Sequence, residues 1–166
     1  MSKFDSLDRL ILTLLNRDAR LSSAAIARQV GVSERTVNNR IKRLIETNTI
    51  RPVAVINPAV FGCTLAVDIF CELEVGHQDQ VIQALLELPE ISYIAISTGD
   101  QDLSLQALFK DSEAMHEFIT NKLHQIPGMR RTRAVLIPRI IKESSRWLPP
   151  EDHFNQLDEP SHSDSH

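Results

Sequence analysis

The chain has 166 residues, 42% hydrophobic and 24% charged, as in ordinary globular proteins, and it can hold one domain or two small ones. Its net charge of −4 is unevenly spread, because residues 1–56 carry ten Lys and Arg against five Asp and Glu. This pattern predicts a polyanion-binding surface in the first third and argues against one in the acidic remainder. The start does not resemble a signal peptide and no apolar run approaches the roughly 20 residues of a membrane span, so we expect a cytoplasmic protein without membrane contact.

The first predicted element is an amphipathic helix that begins after a capping residue, either Asp5 or Ser6. Its apolar residues recur at the three- and four-residue intervals of one helix face: Leu7, Leu10, Ile11, Leu14 and Leu15. Such a helix buries its apolar face against neighbouring helices. We therefore predict that it supports the two helices that follow.

Residues 22–45 are predicted to form two short helices joined by a tight turn. Gly31 can take the positive φ that the turn needs, and Ser33 can cap the second helix. The apolar residues of that second helix fall on one stripe: Val37, Ile41 and Leu44. This arrangement is typical of a helix-turn-helix.

The face opposite the apolar stripe is polar and basic, taking 100° per residue. Its centre carries side chains that can bond to base edges in a major groove: Arg35, Asn38, Asn39 and Lys42. Its start and flanks carry the other candidate DNA contacts, whose cations are expected to meet phosphates: Ser33, Thr36, Arg40 and Arg43. We predict that this helix reads double-stranded DNA, since Arg can pair with guanine and Asn with adenine. The alternative is an ordinary solvated helix face.

Residues 47–62 are predicted to connect the helix-turn-helix domain, residues 1–46, to a second domain. The segment 50–56 is rich in β-forming residues. Pro52 limits its pairing because proline has no N–H group, so we predict an edge strand or an extended linker.

The second domain, residues 63–148, alternates strands and helices. The predicted strands cover residues 64–75, 91–98, 103–109 and 130–142. The predicted helices cover residues 78–88 and a segment capped by Ser112 that ends before Pro127. The order is βαββαβ, the ferredoxin-like arrangement, so the fold class is α+β.

Cys63 and Cys71 lie eight residues apart in what is predicted to be one strand. At about 3.3 Å per residue they would be roughly 26 Å apart, too far for a disulfide. The pattern indicates a reduced, cytosolic protein.

Residues 149–166 are rich in Pro, Ser, Asp and His and have few apolar side chains, so we predict a disordered tail. Its histidines, His153, His162 and His166, could bind a metal adventitiously, but a solvated tail is the simpler interpretation. We assign no metal site and no cofactor.

Several segments together resemble the Lrp/AsnC family of transcriptional regulators. They are the helical stretch from Leu7 to Ile50, the linker INPAVFG, and the stretches STGDQDLSLQALFKD and IPGMRRTRAVLIPRIIK. The resemblance covers residues 5 to about 146. It implies a winged helix-turn-helix domain, followed by a βαββαβ domain that forms homodimers, assembles into higher oligomers and binds amino acids between dimers.

The resemblance also implies an effector site at the turn between the second and third strands. The matching residues are Thr98, Gly99, Asp100 and Asp102. An amino acid needs a carboxylate near its ammonium group and N–H groups near its own carboxylate. Asp100 or Asp102 could supply the first, and the Gly99 backbone the second. The alternative is that Gly-Asp-x-Asp is only favourable turn chemistry.

Our leading hypothesis is a sequence-specific transcriptional regulator, not an enzyme, whose assembly or DNA affinity responds to an amino acid. An enzymatic alternative is a sirohaem (tetrapyrrole) decarboxylase, since such enzymes look similar in both halves. That chemistry would need basic and phenolic groups, here Tyr93, His116 and His124, to converge on a cavity. A third possibility is a ligand sensor that partners another protein and no longer uses its DNA helix.

Overall fold

The computed structural model describes residues 4–142, 145 and 147–154, and the chain forms two compact units. The first combines residues 1–55 with residues 142–166, and the second covers residues 56–141. The sequence predicted that the second domain runs from residue 63 to residue 148, whereas the second compact unit ends at residue 141. The chain after residue 141 returns to the first unit.

Three helices form the first unit: α1 (Ser6–Arg17), α2 (Ser23–Val30) and α3 (Glu34–Glu46). Each begins at a side-chain cap that accepts a hydrogen bond from a backbone N–H group, and these caps are Asp5, Ser22 and Ser33. Gly31 ends α2 with φ of +74°, which leaves room for the sharp turn into α3. The predicted helix-turn-helix is confirmed.

The three helices pack around one apolar core. Its fully buried members come from all three: Ile11, Ile26, Val37 and Leu44. Ile41 is partly buried beside them. The predicted apolar stripe of α3 therefore faces this core, and the opposite side of α3 faces outward.

The segment predicted to be a disordered tail contributes to the same core. Glu151–His153 form a short 3₁₀-helix, and Phe154 is only 9% exposed in the cluster, with Leu148 packed against it. Arg9 pairs with Glu151 at 3.3 Å. The prediction of disorder is wrong for residues 149–154, because the Phe154 side chain of this polar stretch packs into the apolar core of the first unit. Residues 155–166, with His162 and His166, lie outside the described residues.

Residues 47–64 contain no strand, so neither the β segment predicted at 50–56 nor a wing strand is present there. Pro52 cannot donate a hydrogen bond, and no described strand runs beside this segment. Val53 and Val55 are 71% and 66% exposed. A 3₁₀-helix, Pro58–Phe61, leads into the second unit.

The second unit has the predicted order: β1 (Leu65–Leu73), α4 (Gln78–Leu86), β2 (Ile91–Ile96), β3 (Leu103–Phe109), α5 (Ser112–Asn121) and β4 (Met129–Ile137). The strands form one antiparallel sheet in the order β2-β3-β1-β4. Asp111 caps α5, not Ser112 as predicted. β4 stops before Pro138. No helix of the described residues is long and apolar enough to cross a membrane.

The sheet has two different faces, because alternate residues of a strand point in opposite directions. The buried residues of β1 and β3 lie on the face that packs with α4 and α5: Val67, Ile69, Cys71, Leu73, Leu103, Leu105, Ala107 and Phe109. Burial raises the pKa of the Cys71 thiol to about 12. Cys63 lies in the loop before β1, not in the strand, and both cysteines are free. The other face of the sheet carries the polar residues of β1.

Phe154→Ala should lower the free energy of unfolding by about 3 kcal/mol, because it leaves a cavity between the returning segment and the helices. Urea denaturation followed by circular dichroism measures the change. Trp147→Ala is the matched aromatic control, since Trp147 is 60% exposed and should have little effect. Equal stability of Phe154→Ala and the wild-type protein would show that the segment does not dock in solution.

Candidate nucleic-acid interface and effector site

The outward face of α3 holds five of the eight candidate DNA contacts as exposed residues. They are Ser33, Arg35, Asn38, Asn39 and Lys42. Arg35 and Asn39 have no side-chain partner among the described residues, and Lys42 lies 3.8 Å from Glu46 in an exposed i,i+4 pair. Exposed i,i+4 pairs are weak, so Lys42 can exchange this partner for another anion.

Two of these polar side chains, Asn38 and Ser33, also hold the motif together. The Ser23 hydroxyl donates to Asn38 Oδ1 at 2.6 Å, which ties α3 to α2. Ser33 Oγ accepts a bond from the backbone N–H of Thr36 at 3.1 Å and lies 2.8 Å from the Thr36 hydroxyl. Arg35, Asn39 and Lys42 are therefore the residues of this face without such a structural role.

Arg40 and Arg43 point toward α1, not outward. Arg40 Nη1 donates to Asp5 Oδ2 at 2.6 Å and to Asp8 Oδ1 at 3.1 Å, and Arg43 Nη2 donates to Asp8 Oδ2 at 2.5 Å. Asp8 is fully buried. The sequence predicted phosphate contacts for both arginines, whereas in the structure both have carboxylate partners in the same chain. The sequence did not show these partners, because the helical repeat of α3 does not indicate which side chains α1 places beside it.

The ion pairs shift the titration of their members. Burial alone would raise the pKa of the Asp5 carboxyl, but the backbone N–H of Asp8 and the Arg40 guanidinium outweigh it and lower the pKa below its usual 3.8. Burial alone would lower the pKa of Arg40, but hydrogen bonds from its guanidinium to Asp5 and Asp8 outweigh burial and raise the pKa above its usual value. Both groups are therefore charged at neutral pH.

The candidate effector residues in the turn between β2 and β3 are of two kinds. Asp102 is a structural residue, since its Oδ2 accepts from the Leu73 N–H at 2.7 Å and its own N–H donates to the Cys71 carbonyl at 2.9 Å. Gly99 has φ of +125°, a conformation that a residue with a side chain rarely adopts. Thr98 precedes it in the same turn.

Asp100 lines a shallow depression of about 160 Å³ on the sheet. Its other lining residues come from the turn, β1 and β4: Phe70, Glu72, Gln101, Arg131, Thr132 and Arg133. The strand register brings them together, because Phe70 is opposite Arg133 and Glu72 opposite Arg131 in neighbouring strands. The Arg133 guanidinium lies 4.8 Å from the centroid of the Phe70 ring. Carboxylate, guanidinium and aromatic groups therefore share one small concave surface.

The sequence analysis did not identify the β1 and β4 residues of this depression. The sequence contains a basic run at residues 130–133, but the side chains of this run alternate between the two faces of the sheet. Only the β1–β4 register shows that Arg131 and Arg133 share a face with Phe70 and Glu72.

The groups that a tetrapyrrole decarboxylase would need do not converge. Tyr93 is opposite Gln106 in the sheet, and the Gln106 amide donates to Asp68, so Tyr93 belongs to the face without helices. His116 is exposed on α5, the helix on the other side, and His124 Nε2 lies 2.7 Å from the Thr132 hydroxyl. Nothing in this geometry supports the enzymatic alternative.

A helix-turn-helix unit together with an antiparallel α+β unit that carries a polar depression is the arrangement expected of a two-domain transcriptional regulator. Residues 4–45 match the AsnC-type helix-turn-helix domain, and residues 68–147 match the Lrp/AsnC ligand binding domain. An uncharacterised HTH-type transcriptional regulator of Pyrococcus abyssi is 35% identical over 84% of this chain and 89% of its own length. The chain belongs to the Lrp/AsnC family of transcriptional regulators.

One further relative agrees with this assignment, and two solved structures share the fold. The leucine-responsive regulatory protein of Klebsiella pneumoniae is 30% identical over 87% of this chain and 90% of its own length. The fold is shared with a transcriptional regulator of Neisseria meningitidis solved in complex with L-Met, at a TM-score of 0.84 and 23% identity over 90% of this chain and 99% of that one. Escherichia coli AsnC matches with a TM-score of 0.80 and 23% identity over 86% of this chain and 98% of its own.

Asp102→Ala should lower the free energy of unfolding by about 1–3 kcal/mol, because the part-buried Leu73 N–H loses its acceptor. Asp100→Ala is the matched control in the same turn and should leave stability nearly unchanged. Thermal and urea unfolding of both variants measure the difference. Equal effects of the two substitutions would show that Asp102 has no special role in holding the turn.

Proposed function

We propose that the outward face of α3 reads operator DNA in the major groove and that the depression beside Asp100 binds an amino-acid effector. The observation that carries the DNA proposal is that Arg35, Asn39 and Lys42 share an exposed helix face backed by buried Val37 and Leu44. A rigid helix with this composition can present Arg to guanine and Asn to adenine without rearrangement. With DNA as its partner, the protein would act in the cytoplasm.

The DNA contacts divide by their chemistry. Arg35 and Asn39 have planar groups that form paired hydrogen bonds with one base, so they would determine sequence preference. Lys42 is a point charge suited to phosphate or to a guanine edge. Asn38, Ser33 and Thr36 are already hydrogen-bonded within the motif and would contribute by holding α3 in place.

Arg35→Ala and Asn39→Ala should each weaken operator binding by about 1–3 kcal/mol and relax base preference at one position. The operator is first selected from random duplexes with the wild-type protein, and affinities are then measured by fluorescence anisotropy. Lys110→Ala is the matched control, since it removes an exposed cation from the second unit. Loss of affinity in the control alone, with α3 variants unaffected, would contradict the proposed interface.

An amino acid fits the depression because the depression offers a partner of opposite charge to both its ammonium group and its carboxylate. Asp100 can accept from the ammonium group, while Arg131 or Arg133 can pair with the carboxylate. The Arg131 guanidinium lies 3.8 Å from Glu72 and the Arg131 side chain is 76% exposed, so it can pair with a second anion. The Phe70 ring offers apolar contact to a side chain. The L-Met complex of the Neisseria regulator supports the amino-acid class.

The open face of the sheet supports a second proposal about assembly. It carries Tyr93, which is 56% exposed, and half-buried Phe70, and the helices that the structure describes in this unit pack on the other face. We propose that a second copy of the chain covers this face to form a homodimer, and that dimers associate further. An effector would then change DNA binding by favouring one assembly state over another.

Asp100→Asn should abolish stabilisation by the effector while leaving DNA affinity without effector unchanged, because it removes one charge far in sequence from α3. A panel of amino acids, including L-methionine, is screened by thermal shift, since a ligand that binds the native state raises its stability. Asp79→Asn, which removes an exposed carboxylate from α4, is the control. An unchanged thermal shift in Asp100→Asn would place the effector elsewhere.

A further inference from the structure

The two carboxylates of α1 neutralise two of the four cationic side chains among the predicted DNA contacts of α3. Asp5 and Asp8 bind the guanidinium groups of Arg40 and Arg43 at 2.5–3.1 Å, and Asp8 has no solvent exposure. Arg35 and Lys42 remain on the outward face. The positive charge that α3 offers to a polyanion is therefore set by α1 as well as by α3.

Arg43 is incompletely satisfied in this position. Its Nη2 binds Asp8, but its Nε is buried without a hydrogen-bond partner among the described residues. Its side chain is 38% exposed, so solvent reaches part of it. A buried N–H group without an acceptor is unfavourable, and the charge-assisted bond from Nη2 to Asp8 opposes this cost in the inward position of Arg43.

Arg43 lies close to the proposed groove-facing surface. At 100° per residue it is only about 40° around the helix axis from Asn39, whereas Arg40 is about 100° away. A long arginine side chain at that position can reach the phosphates that border a groove once it leaves Asp8. Arg43 can thus change from the state bound to Asp8 to the state bound to a phosphate by rotation of its side chain, without movement of the helix.

We infer that Asp8, with Asp5 beside it, is a positioning residue that withholds Arg43 and Arg40 from DNA phosphates and so limits sequence-independent DNA binding. The inference rests on the proposed DNA-reading role of α3. Its consequence is a higher ratio of specific to non-specific affinity, because Arg35 and Asn39 keep their base contacts while the phosphate term is reduced.

The test measures binding to a random-sequence 30-base-pair duplex at several salt concentrations. Asp8→Asn keeps the shape of the side chain and removes its charge, so Arg43 is released while Arg40 keeps its bond to Asp5. The slope of log K against log salt should become steeper by about 0.9 per released arginine in each bound protomer. Arg43→Gln in the Asp8→Asn background should return the slope to the wild-type value.

Two further variants decide the question even if Asp8→Asn does not fold. Arg43→Gln alone should leave the wild-type slope unchanged, because Arg43 does not contact phosphate while it is bound to Asp8. Asp18→Asn is the matched control, since it removes an exposed carboxylate of the same unit whose partner among the described residues is Arg20. It should also leave the slope unchanged.

The outcomes separate this inference from the proposed function. A flatter slope for Arg43→Gln alone, or an unchanged slope for folded Asp8→Asn, would overturn the inference while DNA binding itself stands. A wild-type protein that binds no duplex even at low salt would overturn both. A steeper slope in Asp8→Asn that Arg43→Gln reverses supports the positioning role, since a merely structural carboxylate would change stability and not counterion release.

Discussion

A carboxylate without solvent contact, that of Asp8, fixes how α3 packs on α1. Asp8 on α1 binds Arg40 and Arg43 on α3, and its Oδ2 also accepts the Asp5 N–H at 3.2 Å. A charge in this environment must keep its partners, because leaving one buried and unpaired is far costlier than breaking an exposed pair. Rotation of α3 would separate these groups. The outward direction of Arg35 and Asn39 therefore depends on ion pairs made by Arg40 and Arg43 on a neighbouring flank of the helix.

The second unit relies on a different constraint, the register of its antiparallel strands. Pairing β1 with β4 brings Phe70 opposite Arg133 and Glu72 opposite Arg131, and the Asp102 carboxylate holds the β2–β3 turn against the end of β1. A shift of one residue in either strand would send these side chains to the helix-covered face. The depression thus depends on the pairing of the strands, and paired strands are more rigid than a surface loop.

The path of the chain adds a third feature, because two separate segments of the sequence form the first unit. The polypeptide leaves the first unit at residue 55 and re-enters it at residue 142, so the DNA-binding unit is built from two separate pieces of sequence. The returning piece adds Leu148 and Phe154 to the core that supports α1. Folding of the helix-turn-helix therefore has a contribution from residues more than 100 positions away in sequence, which closes a long loop at an entropic cost.

Local features of the sequence determined most of the fold. Helix faces, side-chain caps at Ser22 and Ser33, the turn at Gly31 and the alternation of β3 depend on residues within four positions of each other, and the structure agrees with each of these. The βαββαβ order follows from the same short-range signals. Together with the family resemblance, these features were sufficient to assign the class of protein.

The tertiary structure decided which polar groups are available for function. Arg40 and Arg43 were indistinguishable from phosphate contacts until Asp5 and Asp8, more than 30 residues earlier, were brought beside them. Asp100 and Asp102 look equivalent in the sequence, yet only Asp102 meets a backbone N–H of β1. The physical reason is common to both cases: the state of a charged side chain depends on its partners in space, and those partners come from other elements whose arrangement no local pattern records.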